Sequence, residues 1–136
     1  DPGEDLVKLC RSLNIPTVPV PGACAAITAL TISALFTAKF SFEGFLTTAK
    51  GDRRARLEAI KHDDRTVIFY EAPHKLRQTL SDMEEILGKE RRISLCRELT
   101  KLNEEVERTT LSEALKIYTE REPRGEYVLV VEGTKE

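Results

Sequence analysis

The amino-acid sequence predicts a layered α/β fold. Three observations lead there. From Phe40 onward, short runs of β-branched and aromatic residues alternate with stretches of helical spacing. Two of the short runs, residues 66–70 and 127–131, are hydrophobic at nearly every position, as in strands buried on both faces. Glycine and proline punctuate the segments. The resulting order, β-α-β-α-β-(β)-α-β, is that of helices packed on a sheet.

Asp1-Pro2-Gly3 has turn chemistry that leads into a helix. Over residues 4–13, Leu6, Val7, Leu9, Cys10 and Leu13 recur at helical spacing, and Asn14 is a stop. Residues 15–20 are a β-branched run broken by prolines, the pattern of a strand near an edge or end. After Pro21-Gly22, an apolar helix is expected over 23–35, its alanines suited to close packing between layers. Phe40, Phe42 and Gly44 alternate with Ser41, Glu43 and Phe45 in a strand expected over 40–46. Residues 47–52 read as a loop, and 53–62 as an amphipathic helix with Leu57 and Ile60 inward.

The clearest buried strand is 66–70. Pro73 suits the first turn of a helix, where a missing N–H costs nothing. That helix carries Leu76, Leu80, Met83 and Leu87 on one face and stops at Gly88. Residues 93–99 read as another strand and 105–108 as a short one. Ser112 is expected to cap a helix that runs to Arg121. Pro123 and Gly125 then break the chain before the strand at 127–131. A domain boundary is expected near Thr37, because one helix, one strand and one helix cannot form a core of their own. Residues 1–36 thus read as the remnant of a preceding domain, and 37–136 as an α/β domain.

Apolar residues make up 40% of the chain and charged residues 32%, which excludes a disordered polypeptide. A net charge of −2 exerts no global pull on nucleic acid, so any polyanion site must be a local patch. No stretch approaches the roughly 20 apolar residues that span a bilayer, so no membrane association is expected. Cys10, Cys24 and Cys96 are odd in number and widely spaced, which fits reduced cytoplasmic thiols better than a disulfide framework or a zinc site. The chain opens on a turn, and its only methionine is Met83. Both features lead us to expect a piece of a longer protein, truncated at the N-terminus.

Four segments carry chemistry. In Pro19-Val20-Pro21-Gly22-Ala23-Cys24-Ala25-Ala26 a tight turn leads into a helix of small residues. That arrangement suits a ligand at free N–H groups, or equally close packing of helix on sheet. In Tyr70-Glu71-Ala72-Pro73-His74-Lys75-Leu76 polar residues follow a buried strand, where α/β folds place ligands. His74 there is either a functional imidazole or a histidine of the cap region. Arg97-Glu98-Leu99-Thr100-Lys101-Leu102-Asn103-Glu104-Glu105 is a dense charge cluster leaving a strand. Arg97 and Glu98 fall within the strand period, so one points inward and must be paired, in a structural or a catalytic role. Lys50-Gly51-Asp52-Arg53-Arg54-Ala55-Arg56 holds four cations in seven residues, which fits phosphate contact or a solvated helix face.

Together and in this order, the segments resemble the tetrapyrrole methylase fold family. Within it they resemble the branch that methylates a cytidine ribose 2′-oxygen in small-subunit ribosomal RNA. The resemblance rests on Asp1-Pro2-Gly3, Val20-Pro21-Gly22, Phe42-Glu43-Gly44-Phe45-Leu46, Tyr70-Glu71-Ala72-Pro73-His74 and Arg97-Glu98-Leu99-Thr100-Lys101 with Glu104-Glu105. It also rests on Thr110-Leu111 and on Gly125-Glu126-Tyr127-Val128-Leu129-Val130-Val131-Glu132-Gly133, so it covers the whole chain. It implies the C-terminal domain of the methylase fold, a mixed sheet with flanking helices, plus a remnant of the N-terminal α/β domain.

The resemblance further implies S-adenosyl-L-methionine as methyl donor, 16S rRNA or the small ribosomal subunit as substrate, and a homodimer. Carried onto this chain, the donor contacts are Cys24, Ala25, Glu71, Leu99, Tyr127 and Val128. A glycine-rich loop before the Asp-Pro-Gly turn supplies the rest in the family, so these 136 residues alone are expected to be inactive. The chain departs from the family in having Ala23-Cys24 after Pro21-Gly22, and Thr47-Thr48-Ala49 where the family is more basic.

For the transfer itself, His74, Glu98 and Lys101 are candidate base or cation, and Arg97 is a candidate partner for a phosphate or for Glu98. No metal is implied. These four residues are expected to line one cleft, provided the strands at 66–70 and 93–99 are parallel neighbours. A tetrapyrrole (corrin/porphyrin) C-methyltransferase and a non-catalytic RNA-binding or dimerisation fragment are the alternatives.

Overall fold

The computed structural model describes residues 3–135, so Asp1 and Pro2 of the expected opening turn lie outside the described residues. The elements are α1 (Gly3–Ser12), α2 (Ala25–Ile32), β1 (Phe40–Phe45), α3 (Lys50–Ile60), β2 (Thr66–Glu71), α4 (Pro73–Leu87), β3 (Arg92–Arg97), β4 (Glu105–Thr110), α5 (Leu111–Glu120) and β5 (Tyr127–Val131). The five strands form one sheet in the order β1-β2-β5-β3-β4. β1 and β2 are parallel, whereas β5 runs antiparallel to both β2 and β3, and β4 runs antiparallel to β3. β1, β2 and β3 therefore point the same way and end at one edge of the sheet.

The strand at 66–70 and the strand after it are thus parallel but not neighbours, contrary to expectation. β5, the last strand in the chain, lies between them. Its register places Tyr127 opposite Glu71 on one side and opposite Arg97 on the other. At the usual strand spacing of about 4.8 Å, the two strand ends are about 10 Å apart.

Burial on both faces explains the hydrophobic runs. Phe69, Leu95 and Leu129 point to one side, where Leu57 of α3, Leu76, Leu80 and Met83 of α4, and Leu111 and Tyr118 of α5 pack on them. Ile68, Cys96, Val128 and Val130 point to the other side, against Ala26, Ala29 and Leu30 of α2. α2 precedes the boundary expected near Thr37, yet its alanines seat it directly on this sheet. α1 buries nothing, and Leu6, Val7, Leu9 and Leu13 are all more than half exposed.

Several elements differ from the sequence reading. Residues 15–20 form no strand. Pro16 and Pro19 remove two backbone donors, and Val18 and Val20 stand in solvent at 84% and 90% exposure. β1 is irregular between Phe42 and Gly44, and Gly44 has φ +65°, which a side chain at Cβ would strain. β3 ends at Arg97 rather than Leu99, because Glu98 turns into the left-handed region at φ +50°. The cap of α5 is Thr110, not Ser112: its hydroxyl accepts from the Glu113 N–H at 3.3 Å. Thr110 and Glu113 have the spacing of a capping box, a signal that places the cap two residues earlier.

The basic cluster at the start of α3 is largely consumed inside the fold. The buried Arg53 donates to the buried Asp82 of α4 at 2.7 Å, and Arg54 donates to the same carboxylate at 2.9 Å. Arg54 also reaches Glu85, and Arg56 pairs with Glu43 of β1. Burial pushes the Asp82 carboxyl up, but hydrogen bonds from Arg53 and Arg54 outweigh it and hold the group below the ordinary carboxylate range. A carboxylate with a depressed folded pKa contributes stability that is present above its unfolded value and lost as pH falls through the folded value. Thermal midpoints recorded against pH should therefore fall below about pH 4, and this slope should shrink in Asp82→Asn. Asp82→Ala leaves the Arg53 charge buried and unpaired, and should cost on the order of 3 kcal/mol in denaturant unfolding.

Candidate active site

The common edge where β1, β2 and β3 end opens into a cleft of about 560 Å³. Four pieces of backbone build it. They are the N-terminal turns of α2 and α4, the turn after β3, and the start of β5. Each arises from a local break. Pro73 starts α4 directly after Glu71 and Ala72. Glu98 and Thr100, at φ +50° and +68°, fold the chain back after β3. Gly125, at φ +78°, turns the chain into β5.

Of the residues expected to contact a donor, Ala25, Glu71, Leu99, Tyr127 and Val128 line this cleft. Cys24 is next to it, as the exposed N-cap of α2, but is not part of the lining. Of the expected catalytic residues, His74, Glu98 and Lys101 line the cleft and Arg97 does not. The Arg97 guanidinium is drawn instead to β4, where it donates to Glu105 at 2.8 Å, not to Glu98. Arg121 joins the same carboxylate, and Tyr118 donates to Glu107 beside it at 3.1 Å. Arg97 thus belongs to an ion network that ties β4 to β3 and α5.

Glu98 is held from several sides. Its Oε1 accepts from the Glu126 N–H at 2.9 Å and from the Lys101 ammonium at 3.1 Å. Its own N–H donates to the Glu126 carbonyl at 3.0 Å. Its side chain lies across Gly125, where an added Cβ would come within 2.5 Å of it. The Glu126 N–H first, then Lys101, hold the Glu98 carboxyl below the ordinary carboxylate range. Lys101 also donates to Glu126 at 2.8 Å, and these two carboxylates hold its ammonium above its ordinary pKa. Glu98 is therefore a fixed carboxylate and Lys101 a fixed ammonium at neutral pH.

Glu71 is buried, and both its oxygens are engaged. Oε1 accepts from the Ala72 N–H at 2.8 Å, and Oε2 accepts from the Thr79 hydroxyl at 2.6 Å. His74 differs from its neighbours: among the described residues, no hydrogen bond or ion pair is formed by its ring.

Sequence reasoning missed Tyr70, Phe45, Cys96 and Glu126. The Tyr70 hydroxyl accepts from the Ala26 N–H at 3.2 Å and so fastens the α2 N-terminus to β2. Phe42 and Phe45 stack edge-on against its ring. The polar tip of Tyr70 within a hydrophobic strand was the available signal. Among the described residues, no group of three or more His, Cys, Asp or Glu side chains is placed to hold a metal ion. No helix among them is long and apolar enough to cross a membrane.

Comparison with known proteins bears on this cleft. The chain is 47% identical over 133 residues to "Ribosomal RNA small subunit methyltransferase I" of Synechocystis sp., a match that covers 98% of this chain and 48% of the relative. It is 49% identical to the protein of that name from Halalkalibacterium halodurans, over 100% of this chain and 47% of the relative. The chain thus spans about half the length of the curated relatives it matches. Among solved structures, the methyltransferase CobJ superposes with a TM-score of 0.69 at 18% identity, covering 96% of this chain and 56% of that one. A uroporphyrin-III C-methyl transferase from Thermus thermophilus, complexed with S-adenyl homocysteine, superposes with a TM-score of 0.65 at 13% identity, covering 96% and 58%. At such identities these likenesses concern the fold. Residues 1–115 match the family described as Tetrapyrrole (Corrin/Porphyrin) Methylases. With that match spanning most of the chain, and with a mixed sheet whose strand ends open into the cleft, the protein belongs to the tetrapyrrole methylase family.

Proposed function

We propose that the protein transfers a methyl group from S-adenosyl-L-methionine to a cytidine ribose 2′-oxygen of 16S rRNA, in the cytoplasm. In this reading residues 1–36 are the tail of a preceding methylase domain and 37–136 are the C-terminal domain. The observation that carries it is the likeness, across nearly the whole chain, to proteins named ribosomal RNA small subunit methyltransferase I.

The cleft suits the donor. Its volume lies within the roughly 300–1,000 Å³ of small-molecule sites. Leu99, Val128, Ala25 and Pro73 offer apolar walls and backbone groups, while Glu71, Glu98 and Glu126 border it with carboxylates. That combination favours a cationic ligand with an apolar body. When bound, S-adenosyl-L-methionine supplies a methyl group activated by a sulfonium.

This chain's residues would then position the donor and manage one proton. Ala25, Leu99, Tyr127 and Val128, with Cys24 beside them, line the donor's place. The fixed Glu98 carboxylate and Lys101 ammonium shape the rim. Glu98 is engaged by two donors and Lys101 stays protonated, so neither suits removal of a hydroxyl proton. His74 has its ring unengaged, and its imidazole accepts the proton that the 2′-hydroxyl loses. Arg97 acts through the sheet edge, not in the cleft.

Four outcomes test the reading. Mass mapping of 16S rRNA should put the methyl group on a ribose 2′-oxygen; a methylated base, or a methylated tetrapyrrole, would defeat it. His74→Ala should lower kcat by roughly 10²-fold, the low end for loss of a general base, with donor affinity unchanged by calorimetry. Gly125→Ala forces a side chain into left-handed backbone and against Glu98. It should lower the thermal midpoint, with a penalty of at least about 1 kcal/mol. The protein is also expected to form a homodimer, which light scattering at tens of micromolar would detect; a monomer there contradicts that part of the proposal.

A further inference from the structure

Beside the cleft lies a second, smaller cavity of about 160 Å³, well below the roughly 300 Å³ at which drug-sized sites begin. It is a notch between the loop after β1, with Leu46, Thr47 and Thr48, and the first turns of α4, with Lys75. Glu71 and His74 border both cavities and form the wall between them.

The charges around this notch are unevenly committed. Arg54 is paired with Asp82 and Glu85, Arg56 with Glu43, Arg77 with Glu122, and Lys101 with Glu98 and Glu126. The side chain of Lys75 makes no hydrogen bond or ion pair among the described residues, although it is only partly exposed. Arg53, also in the lining, shares its charge with Asp82 and donates to the Thr48 carbonyl at 3.0 Å, which holds the loop in place. Glu71 is the acid in the wall, and both of its oxygens already accept hydrogen bonds from Ala72 and Thr79. The notch thus combines an uncommitted ammonium, a second cation and the threonines of the loop, in a space of about 160 Å³.

We propose that this notch is a second binding site, for a phosphate group of the RNA strand whose ribose enters the neighbouring cleft. This rests on the ribose-methylation reading above. Consecutive helical residues diverge by about 100° around the axis, so His74 can serve the cleft while Lys75 serves the notch. A nucleotide has the matching form, with its phosphate one linkage from its ribose. The chain carries a net charge of −2, so its grip on RNA has to come from local cations of this kind.

The test titrates the protein with inorganic phosphate and with the dinucleotide cytidylyl-(3′→5′)-cytidine, following the amide resonances of Thr47, Thr48 and Lys75. Both probes should move all three, and Lys75→Gln should abolish the shifts. In filter binding to a 16S rRNA fragment, Lys75→Gln should reduce the slope of log K against log salt by about 1 while S-adenosyl-L-methionine affinity is unchanged. Resonances that neither probe moves, or that move equally in Lys75→Gln, overturn the site. A response to phosphate but not to the dinucleotide overturns its assignment to RNA. If methyl mapping finds a base modified while the dinucleotide still moves the three resonances, the ribose reading fails and the phosphate site stands.

Discussion

The arrangement of this protein depends on one strand, β5, lodged antiparallel between two parallel ones. Tyr127–Val131 pairs along its whole length with β2 on one side and β3 on the other, and all five residues are buried. A strand that is paired on both edges and covered on both faces cannot slip by one residue without moving its apolar set across the sheet. Its register therefore fixes where the ends of β2 and β3 stand relative to each other. Tyr127, opposite both Glu71 and Arg97, is the shared reference point. The cleft is the space that results: two parallel strand ends held one strand apart, with the start of the intervening strand as its floor.

Charge pairing then decides which side chains remain available. Buried or half-buried cations require partners, because desolvating an unpaired charge is costly. The fold meets this requirement with Asp82 beneath Arg53 and Arg54, Glu105 between Arg97 and Arg121, and the pair Glu98 and Glu126 around Lys101. Charge clusters that look reactive in a sequence are in this way mostly structural. Among the titratable side chains that line the two cavities, His74 and Lys75 are the ones left without such a partner, adjacent on the first turn of α4.

The turn after β3 shows how closely the backbone and the cleft depend on each other. Glu98 and Thr100 occupy left-handed backbone, which costs a residue with a Cβ roughly 1–2 kcal/mol. The cost is offset by four hydrogen bonds between Glu98 and Glu126 or Lys101, and the Glu98 side chain that accepts two of them lies where a Cβ at position 125 would stand. Gly125 and Glu98 are far apart in sequence, yet the side chain of one fills the space left by the absent side chain of the other.

Local sequence alone determined the elements that have a strong period. Helical spacing of Leu76, Leu80, Met83 and Leu87 between Pro73 and Gly88 specified α4, and the hydrophobic runs specified β2 and β5, because both patterns arise within a few residues of the chain. The motif segments at 70–74, 97–101 and 125–128 were likewise legible, since backbone breaks and polar residues at strand ends mark them. Tertiary structure decided the rest. No local pattern says that β5 inserts between β2 and β3, that β3 ends one residue before Glu98, or that Arg97 faces Glu105 instead of the cleft. Strand order and side-chain pairing are properties of residues brought together from distant parts of the chain. Their free energy resides in contacts that exist only after the sheet has closed around β5.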